Sequence, residues 1–239
     1  PNAMAKSAKS GRCLVLITPD AERSMNTYLG ISSNLSISDI DEAALVASRY
    51  FYLEGYLSSS EQSTAAAIAC RELAESAQVK TAISLSDPSM VEFFRAPLEK
   101  ILGNGVDHLF CNEEEALTWA RTDRLDVAVS ELRDIGKHLN ITLGSKGSLV
   151  VAAHEQQLVP GYRVDALDTT GAGDMYAGGC LYGWCTGMAA EEAAALGNYA
   201  AAQLVQRFRF RVLPGHSIKT IAKVTLKPRF GMPGTLSLR

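Results

Sequence analysis

The chain has 239 residues, 47% of them hydrophobic and 21% charged, with a net charge of -3. That is enough for one sizeable α/β domain of ordinary globular composition, and the weak negative balance makes no general case for nucleic acid. No apolar run reaches the length of a membrane span, and the five scattered cysteines (Cys13, Cys70, Cys111, Cys180, Cys185) contain no C-x-x-C pair, which excludes an obvious disulfide framework and points to a reducing, cytoplasmic setting.

Charge is distributed unevenly. Residues 1–206 carry 15 Lys and Arg against 26 Asp and Glu, whereas residues 207–239 carry 8 basic residues and no acid. Pro1-Asn2-Ala3-Met4 reads as a cloning remnant followed by an initiator-like Met, so residues 1–10 are set aside as a tag-like segment.

In chain order, Arg12–Thr18 is a continuous apolar run that predicts a buried strand. Pro19–Gly30 is polar and turn-rich, and reads as a connector. Ser38 is placed to cap a helix over Asp39–Arg49. Tyr50–Leu57 predicts the next strand, and a long alanine-rich helix starts at Ser59 or Ser60 and ends near Ala77. Val79–Leu85 reads as a strand. Pro88–Leu102 reads as a helix with Gly103 past its end.

Val106–Cys111 is a further strand, followed by helices near Glu113–Ala120 and Leu125–Lys137. Asn140–Leu143, Ser148–Ala153 and Gln157–Val159 read as strands. Two more helices follow, one opening in the glycine-rich segment near residue 171 and running to about Gly187, the other spanning Ala189–Gln206. Strands alternating with helices at this spacing argue an α/β fold: a mostly parallel sheet covered on both faces, with ligand at the carboxyl ends of the strands.

The polar clusters sit just after strands. Asn112-Glu113-Glu114-Glu115 has the form of a capping box, an Asn with Glu three residues on. Thr142-Leu143-Gly144-Ser145-Lys146-Gly147 suits a hairpin turn whose glycines supply positive φ. It also has the small residues and amides that a phosphate needs, but it is not a Walker sequence.

The densest cluster is Asp168-Thr169-Thr170-Gly171-Ala172-Gly173-Asp174, followed by Met175-Tyr176-Ala177-Gly178-Gly179. The first N–H groups of a helix lack internal partners and, with the helix dipole, attract an anion. Glycines let a phosphate approach the backbone, and Asp174 would stand beside it in the first turn. The alternative is a glycine turn followed by an acid that merely favours the helix dipole.

Taken together, TPDAERSMNTYLG, YLEGYL, SDPSMVE, LFCNEEEA, TLGSKGSL and DTTGAGDMYAGG, in this order between Gly11 and Gln206, resemble the PfkB, or ribokinase-like, family of sugar and nucleoside kinases, most of all its adenosine-kinase-like branch. The resemblance implies a three-layer α/β/α core over residues 11–206. It implies transfer of the γ-phosphoryl of ATP to a primary hydroxyl of a sugar or nucleoside, by a monomer or homodimer.

Asp174 is then the catalytic base, with the amides of Gly171, Ala172 and Gly173 as the anion hole. Asn112 and Glu115 belong to an N-x-x-E motif that holds Mg²⁺ and phosphate oxygens partly through water. Thr142, Gly144 and Gly147 contact the nucleotide, Asn198 lies at the adenine pocket, and Arg23 reaches the transferred phosphate. Asp168 and Thr170 match positions that bind a monovalent cation such as K⁺ in some members. The other reading of Asp168 is an Asx-type turn.

Members of that family are about half as long again, so the N-terminal part with the first strands, most sugar contacts and the β-sheet lid is expected to be missing. Residues 207–239 do not follow the family pattern. A nucleotide-binding protein without catalysis is the second reading. A dinucleotide oxidoreductase is disfavoured because Tyr176 stands where a third glycine is needed.

Overall fold

The structure is a computed structural model that describes residues 9–17, 23–152, 155–166, 168–212, 220–221, 227–228 and 234–238. Strands β1 (Arg12–Ile17) and β2 (Arg23–Tyr28) pair antiparallel. Helix α1 (Glu42–Val46) precedes β3 (Tyr50–Glu54), α2 (Glu61–Ser76) and β4 (Lys80–Ser84). Then come α3 (Pro88–Phe93), α4 (Arg95–Leu102), β5 (Val106–Asn112), α5 (Glu113–Ala120) and α6 (Leu125–Leu132).

A hairpin-connected run of β6 (Gly136–Thr142), β7 (Gly147–Ala152) and β8 (Glu155–Pro160) completes the sheet. Helices α7 (Ala172–Cys185) and α8 (Ala190–Arg207) follow. Beyond them, β9 (Phe208–Val212) pairs antiparallel with β12 (Gly234–Leu238), and β10 (Thr220–Ile221) with β11 (Lys227–Pro228).

The central sheet has six strands in the order β3-β4-β5-β6-β7-β8. The first three pairings are parallel and the last two antiparallel. Side chains alternate across a strand, and here both faces are apolar. Ile83, Leu109 and Leu139 face one way, onto Leu98, Ile101 and Leu132 of the helices between the strands. Ala82, Phe110 and Val150 face the other way, onto Tyr176 and Cys180 of α7 and Ala194 of α8. The result is the expected three-layer α/β/α arrangement, with a mixed rather than wholly parallel sheet.

Five local expectations change. The apolar run at Cys13 does not enter the core; its strand pairs with polar β2 and leaves Leu16 55% exposed, so β1 is an exposed hairpin strand. Of the connector expected over Pro19–Gly30, residues 19–22 lie outside the described residues and Arg23–Tyr28 is β2. The helix expected from Asp39 starts later because Ser36 and Asp39 close a capping box on their own short 3₁₀ turn, leaving Asp41 to accept the Ala44 N–H at 3.0 Å.

The helix expected over Pro88–Leu102 breaks at Phe94. Pro97 has no N–H to give and is tolerated only in a first turn, so a new helix starts at Arg95. Likewise α6 ends at Leu132 rather than Lys137. Gly136 must open β6, since a Cβ there would lie 2.8 Å from Leu109 Cβ.

Helix α7 is held by an unusually close neighbour. Gly179 and Gly183, one turn apart, face Gly197 and Ala193, one turn apart on α8. A Cβ on Gly179 would lie 2.7 Å from Gly197 Cα, and one on Gly197 would lie 2.7 Å from the Tyr176 carbonyl oxygen. Only the missing side chains allow the two backbones to meet. Gly179→Ala should therefore destabilise the fold by about 1–3 kcal/mol through overpacking. Gly178→Ala, with open space at its Cβ, should be neutral or gain up to about 1 kcal/mol of helix propensity. Urea unfolding of the two variants checks this, and equal effects would contradict the packing account.

Candidate active site at the carboxyl end of the sheet

Helix α7 begins at the glycine segment and ends near the opposite edge of the sheet, where Trp184 stacks on His108 near the start of β5. Its N-terminus therefore lies at the carboxyl ends of the strands. Gly171, the N-cap, has φ 79°, a conformation that favours glycine, and contributes no side-chain cap. Asp168 Oδ1 accepts the Thr170 N–H at 2.8 Å, an Asx turn that shapes the approach to the helix. The Ala172 N–H is spent on the Thr169 carbonyl at 3.1 Å.

Among the described residues, the N–H groups of Gly171, Gly173 and Asp174 have no backbone acceptor. Ala172 therefore differs from its expected place in an anion hole: its amide is committed to the turn, and Asp174 offers the free amide instead. Apart from its chain neighbours and the backbone of its own helix, no heavy atom lies within 4 Å of where a Gly173 Cβ would stand, so there is open space beside the free donors. Asp174 is exposed in the first turn.

A second carboxylate, which sequence reasoning passed over, stands near it. Glu54 ends β3. Its Oε2 accepts the Ser86 hydroxyl at 2.9 Å, and Ser86 Oγ accepts the Gly55 N–H at 2.8 Å. Ser86, just past β4, has φ 74°, which non-glycine residues adopt rarely and most often at sites under functional constraint.

Burial raises the Glu54 carboxyl above the usual carboxylate range. The Tyr52 and Ser86 hydroxyls oppose that shift, and the charge of Asp174 adds to it. Burial, then Glu54, with a smaller push from Asp174, raises the Tyr52 phenol too. The charge of Asp174 is thus felt at both Glu54 and Tyr52, across the mouth of β3. The signal in the sequence was the acid of Tyr52-Leu53-Glu54-Gly55, placed where a strand ends.

Asn112, Glu115, Thr142 and Gly144 form a second cluster, at the ends of β5 and β6. Asn112 and Thr142 are register partners. Together with Gly144 they line an open groove of about 1070 Å³ that continues along α5 past Thr118 and Arg121. The capping box at Asn112 is complete. Glu115 N–H donates to Asn112 Oδ1 at 2.7 Å, Asn112 N–H to Glu115 Oε2 at 3.1 Å, and Asn112 Nδ2 to Glu115 Oε1 at 2.9 Å.

Glu115 is only 4% exposed and Asn112 occupies both its carboxylate oxygens. It suits a Mg²⁺ ion only through intervening water, which that ion retains readily. Among the described residues no group of three His, Cys, Asp or Glu is gathered for direct metal ligation.

The turn after Thr142 is a hairpin turn, as one reading had it. Gly144 has φ 59° and an open Cβ direction, which leaves its backbone accessible. Gly147 has φ 103°, and a Cβ there would lie 2.1 Å from the Val159 carbonyl oxygen. Gly147 is therefore demanded by the packing of β7 on β8.

Asn198 is buried and tethers α8 to the sheet, its Nδ2 reaching Val159 O at 3.1 Å, Ser148 Oγ at 3.2 Å and Pro160 O at 3.3 Å. The polar residue on the apolar helix thus has its partners. Arg23 opens β2, and its side chain lies outside the described part.

Three layers, with a glycine-led helix N-terminus and a carboxylate at the carboxyl end of the sheet, define a ribokinase-like α/β protein. The chain matches the pfkB family carbohydrate kinases over residues 3–212 and belongs to that family. It is similar to the adenosine kinase of Schizophyllum commune, 27% identical over 226 residues, which covers 84% of this chain and 64% of that protein.

Among solved structures it is similar to the adenosine kinase from Sinorhizobium meliloti, with a TM-score of 0.78 and 36% identity over 82% of this chain and 60% of that one. It is also similar to the Anopheles gambiae adenosine kinase in complex with P1,P4-di(adenosine-5) tetraphosphate, with a TM-score of 0.76 and 25% identity over 85% and 64%. The chain thus spans about three fifths of the length of these relatives. No helix among the described residues is long and apolar enough to cross a membrane.

The raised Glu54 carboxyl has a consequence for stability. A carboxyl whose pKa is higher folded than unfolded opposes folding when ionised, and that cost fades as pH falls through its raised range. Glu54→Gln should therefore be more stable than the unmodified chain at neutral pH. The difference should shrink on acidification toward the ordinary carboxylate range. Denaturant unfolding at several pH values measures it, and a gap that widens on acidification contradicts the assignment.

Proposed function

We propose that the chain carries the phosphoryl-transfer centre of an ATP-dependent kinase whose acceptor is a primary hydroxyl of a nucleoside or sugar. One observation carries the reading. Asp174 stands in the first turn of α7, beside free backbone donors and the open space at Gly173. An anion received there lies next to a carboxylate, which is the arrangement that transfer of a phosphoryl group to a hydroxyl requires. Support for the acceptor class comes from the relatives, which are named adenosine kinases, and from the P1,P4-di(adenosine-5) tetraphosphate in complex with the Anopheles relative.

In this reading the acceptor oxygen forms the new O–P bond while the bond from the γ-phosphorus to the β-bridging oxygen breaks. Asp174 takes the hydroxyl proton. The transition state is loose, so late proton removal and charge neutralisation matter more than a strong base. The Gly171, Gly173 and Asp174 amides neutralise the developing charge, each donor of this kind being worth about 3–4 kcal/mol.

Glu54, held by Ser86, faces the same space and serves to orient the acceptor through a second hydroxyl. Asn112, Thr142 and Gly144 line the groove that receives the nucleotide, and Glu115 holds Mg²⁺ through water. When bound, that ion supplies charge neutralisation on the phosphate oxygens. Gly147 and Asn198 shape this region by packing β7, β8 and α8. One oxygen of Asp168 is committed to the Thr170 N–H, so a K⁺ ion beside Thr170 would receive the other. Residues 11–206 form the catalytic core in this reading, and residues 207–239 lie outside it.

Asp174→Asn should lower turnover by about a hundred- to ten-thousandfold while leaving ATP affinity within a few-fold. An assay over a nucleoside and sugar panel, with ATP binding measured alongside, checks both. Near-normal turnover would remove Asp174 from its role. ATP binding by the unmodified chain without transfer to any acceptor would favour the second reading, nucleotide binding without catalysis.

A further inference from the structure

At the opposite end of the sheet, where β3, β4 and β5 begin, lies a cavity of about 310 Å³ lined by Tyr50, Asp107, His108, His138, Asn140 and Trp184. None of these residues belongs to the centre described above. Register builds the wall: His108 of β5 lies beside His138 of β6, which lies beside Ala152 of β7. The rings stack as a column, His108 on Trp184 at 4.1 Å and on His138 at 4.9 Å, with Tyr50 tilted against both His108 and Trp184. Small Ala152 of β7 and Ala190 of α8, both in the lining, leave the space unfilled.

Two side chains of the lining, Asn140 and His108, hold buried polar atoms without partners. Asn140 is 1% exposed, and neither its Oδ1 nor its Nδ2 has a hydrogen-bond partner; the same holds for Nδ1 of His108. Buried amides are nearly always paired, so such a group calls for an explanation. An unpaired donor and acceptor on one side chain is a template for a ligand edge carrying an acceptor and a donor side by side. That is the pattern by which an asparagine amide reads a nucleobase.

Charge narrows the ligand further. Asp107 at the rim is bound by Lys137 at 3.0 Å and Lys80 at 3.5 Å, and both lysine side chains are mostly in solvent, so the residual positive charge is hydrated at the rim and not directed into the cavity. Burial, then the neighbouring His138, lowers His108 to about 4, so its ring is neutral near pH 7 and does not demand an anion either. The volume lies at the small end of ligand pockets, which run from about 300 to 1,000 Å³.

We propose that this cavity is a second small-molecule site, taking an uncharged planar heteroaromatic ligand the size of a single nucleobase, whose edge pairs with the Asn140 amide and whose ring packs against the aromatic wall. The inference does not rest on the kinase reading. A site of this kind would persist in a chain that transferred no phosphoryl group.

Adenine is a suitable probe, titrated calorimetrically into the full chain with and without saturating ATP. Binding should persist with ATP present and in the Asp174→Asn variant, and should weaken by about tenfold or more in Asn140→Leu. It should also weaken in Ala152→Leu, which fills the cavity without touching the amide and decides the matter if Asn140→Leu does not fold. In the unmodified chain, adenine should move the ring proton signals of His108 and His138. No binding at millimolar adenine, full competition by ATP, affinity unchanged in the variants that fold, or unmoved histidine signals would each overturn the proposal and leave the cavity to water.

Discussion

Gly179 and Gly197 meet where no methyl group fits, and the position of α7 depends on that contact. The helix supplies Tyr176 and Cys180 to the second core and reaches Trp184 at the far end of the sheet. Because its middle is fixed against α8, its first turn is presented at the carboxyl end of β3 without help from a side-chain cap. A rigid helix with an uncapped, glycine-led start is a standing offer of backbone donors. Its position follows from a stripe of small residues a turn and a half further along.

The same geometry divides the carboxyl end of the sheet into two regions. At β3 and β4, burial and the charge of Asp174 raise the cost of ionising Glu54, and Ser86 accepts an uncommon backbone conformation to hold it. At β5 and β6, the Asn112–Glu115 box and the hairpin at Gly144 frame an open groove. A long anionic ligand whose one end lies in the groove and whose other end reaches α7 would join the two. An acceptor would then approach from the Glu54 side. This division between a pair of carboxylates and a groove of amides and small residues is what phosphoryl transfer between two bound molecules calls for.

Much of this was legible from residue order. The α/β class followed from alternating apolar strands and alanine-rich helices, and Ser60, Asp87 and Asn112 mark helix starts as their residue types imply. The segment at 168–174 stood out because its glycines and acid together suit an anion site, a pattern that a plain glycine turn before a helix-favouring acid shares. Misplaced elements have two causes: local pattern does not say what packs on a strand, and a proline inside a helical pattern marks a break. Cys13–Ile17 is as apolar as a core strand but pairs only with polar β2. Pro97 was read inside a helix when its missing N–H makes it a start.

Glu54 was hidden because one acid after an apolar run has many meanings, and only the fold sets it beside Asp174. The aromatic cavity was equally hidden. His108 and His138 are thirty residues apart and become neighbours through strand register alone. The amide of Asn140 can be recognised as unpaired only in three dimensions.

The central claim is that the α7 N-terminus receives the terminal phosphate of a nucleotide. The most direct measurement is the backbone amide spectrum of the ¹⁵N-labelled chain titrated with ATP and Mg²⁺. The account predicts that the Gly171, Gly173 and Asp174 amides move most, together with those of Thr142 and Gly144 along the groove. Saturable ATP binding that leaves the amides of residues 171–174 unmoved would contradict it.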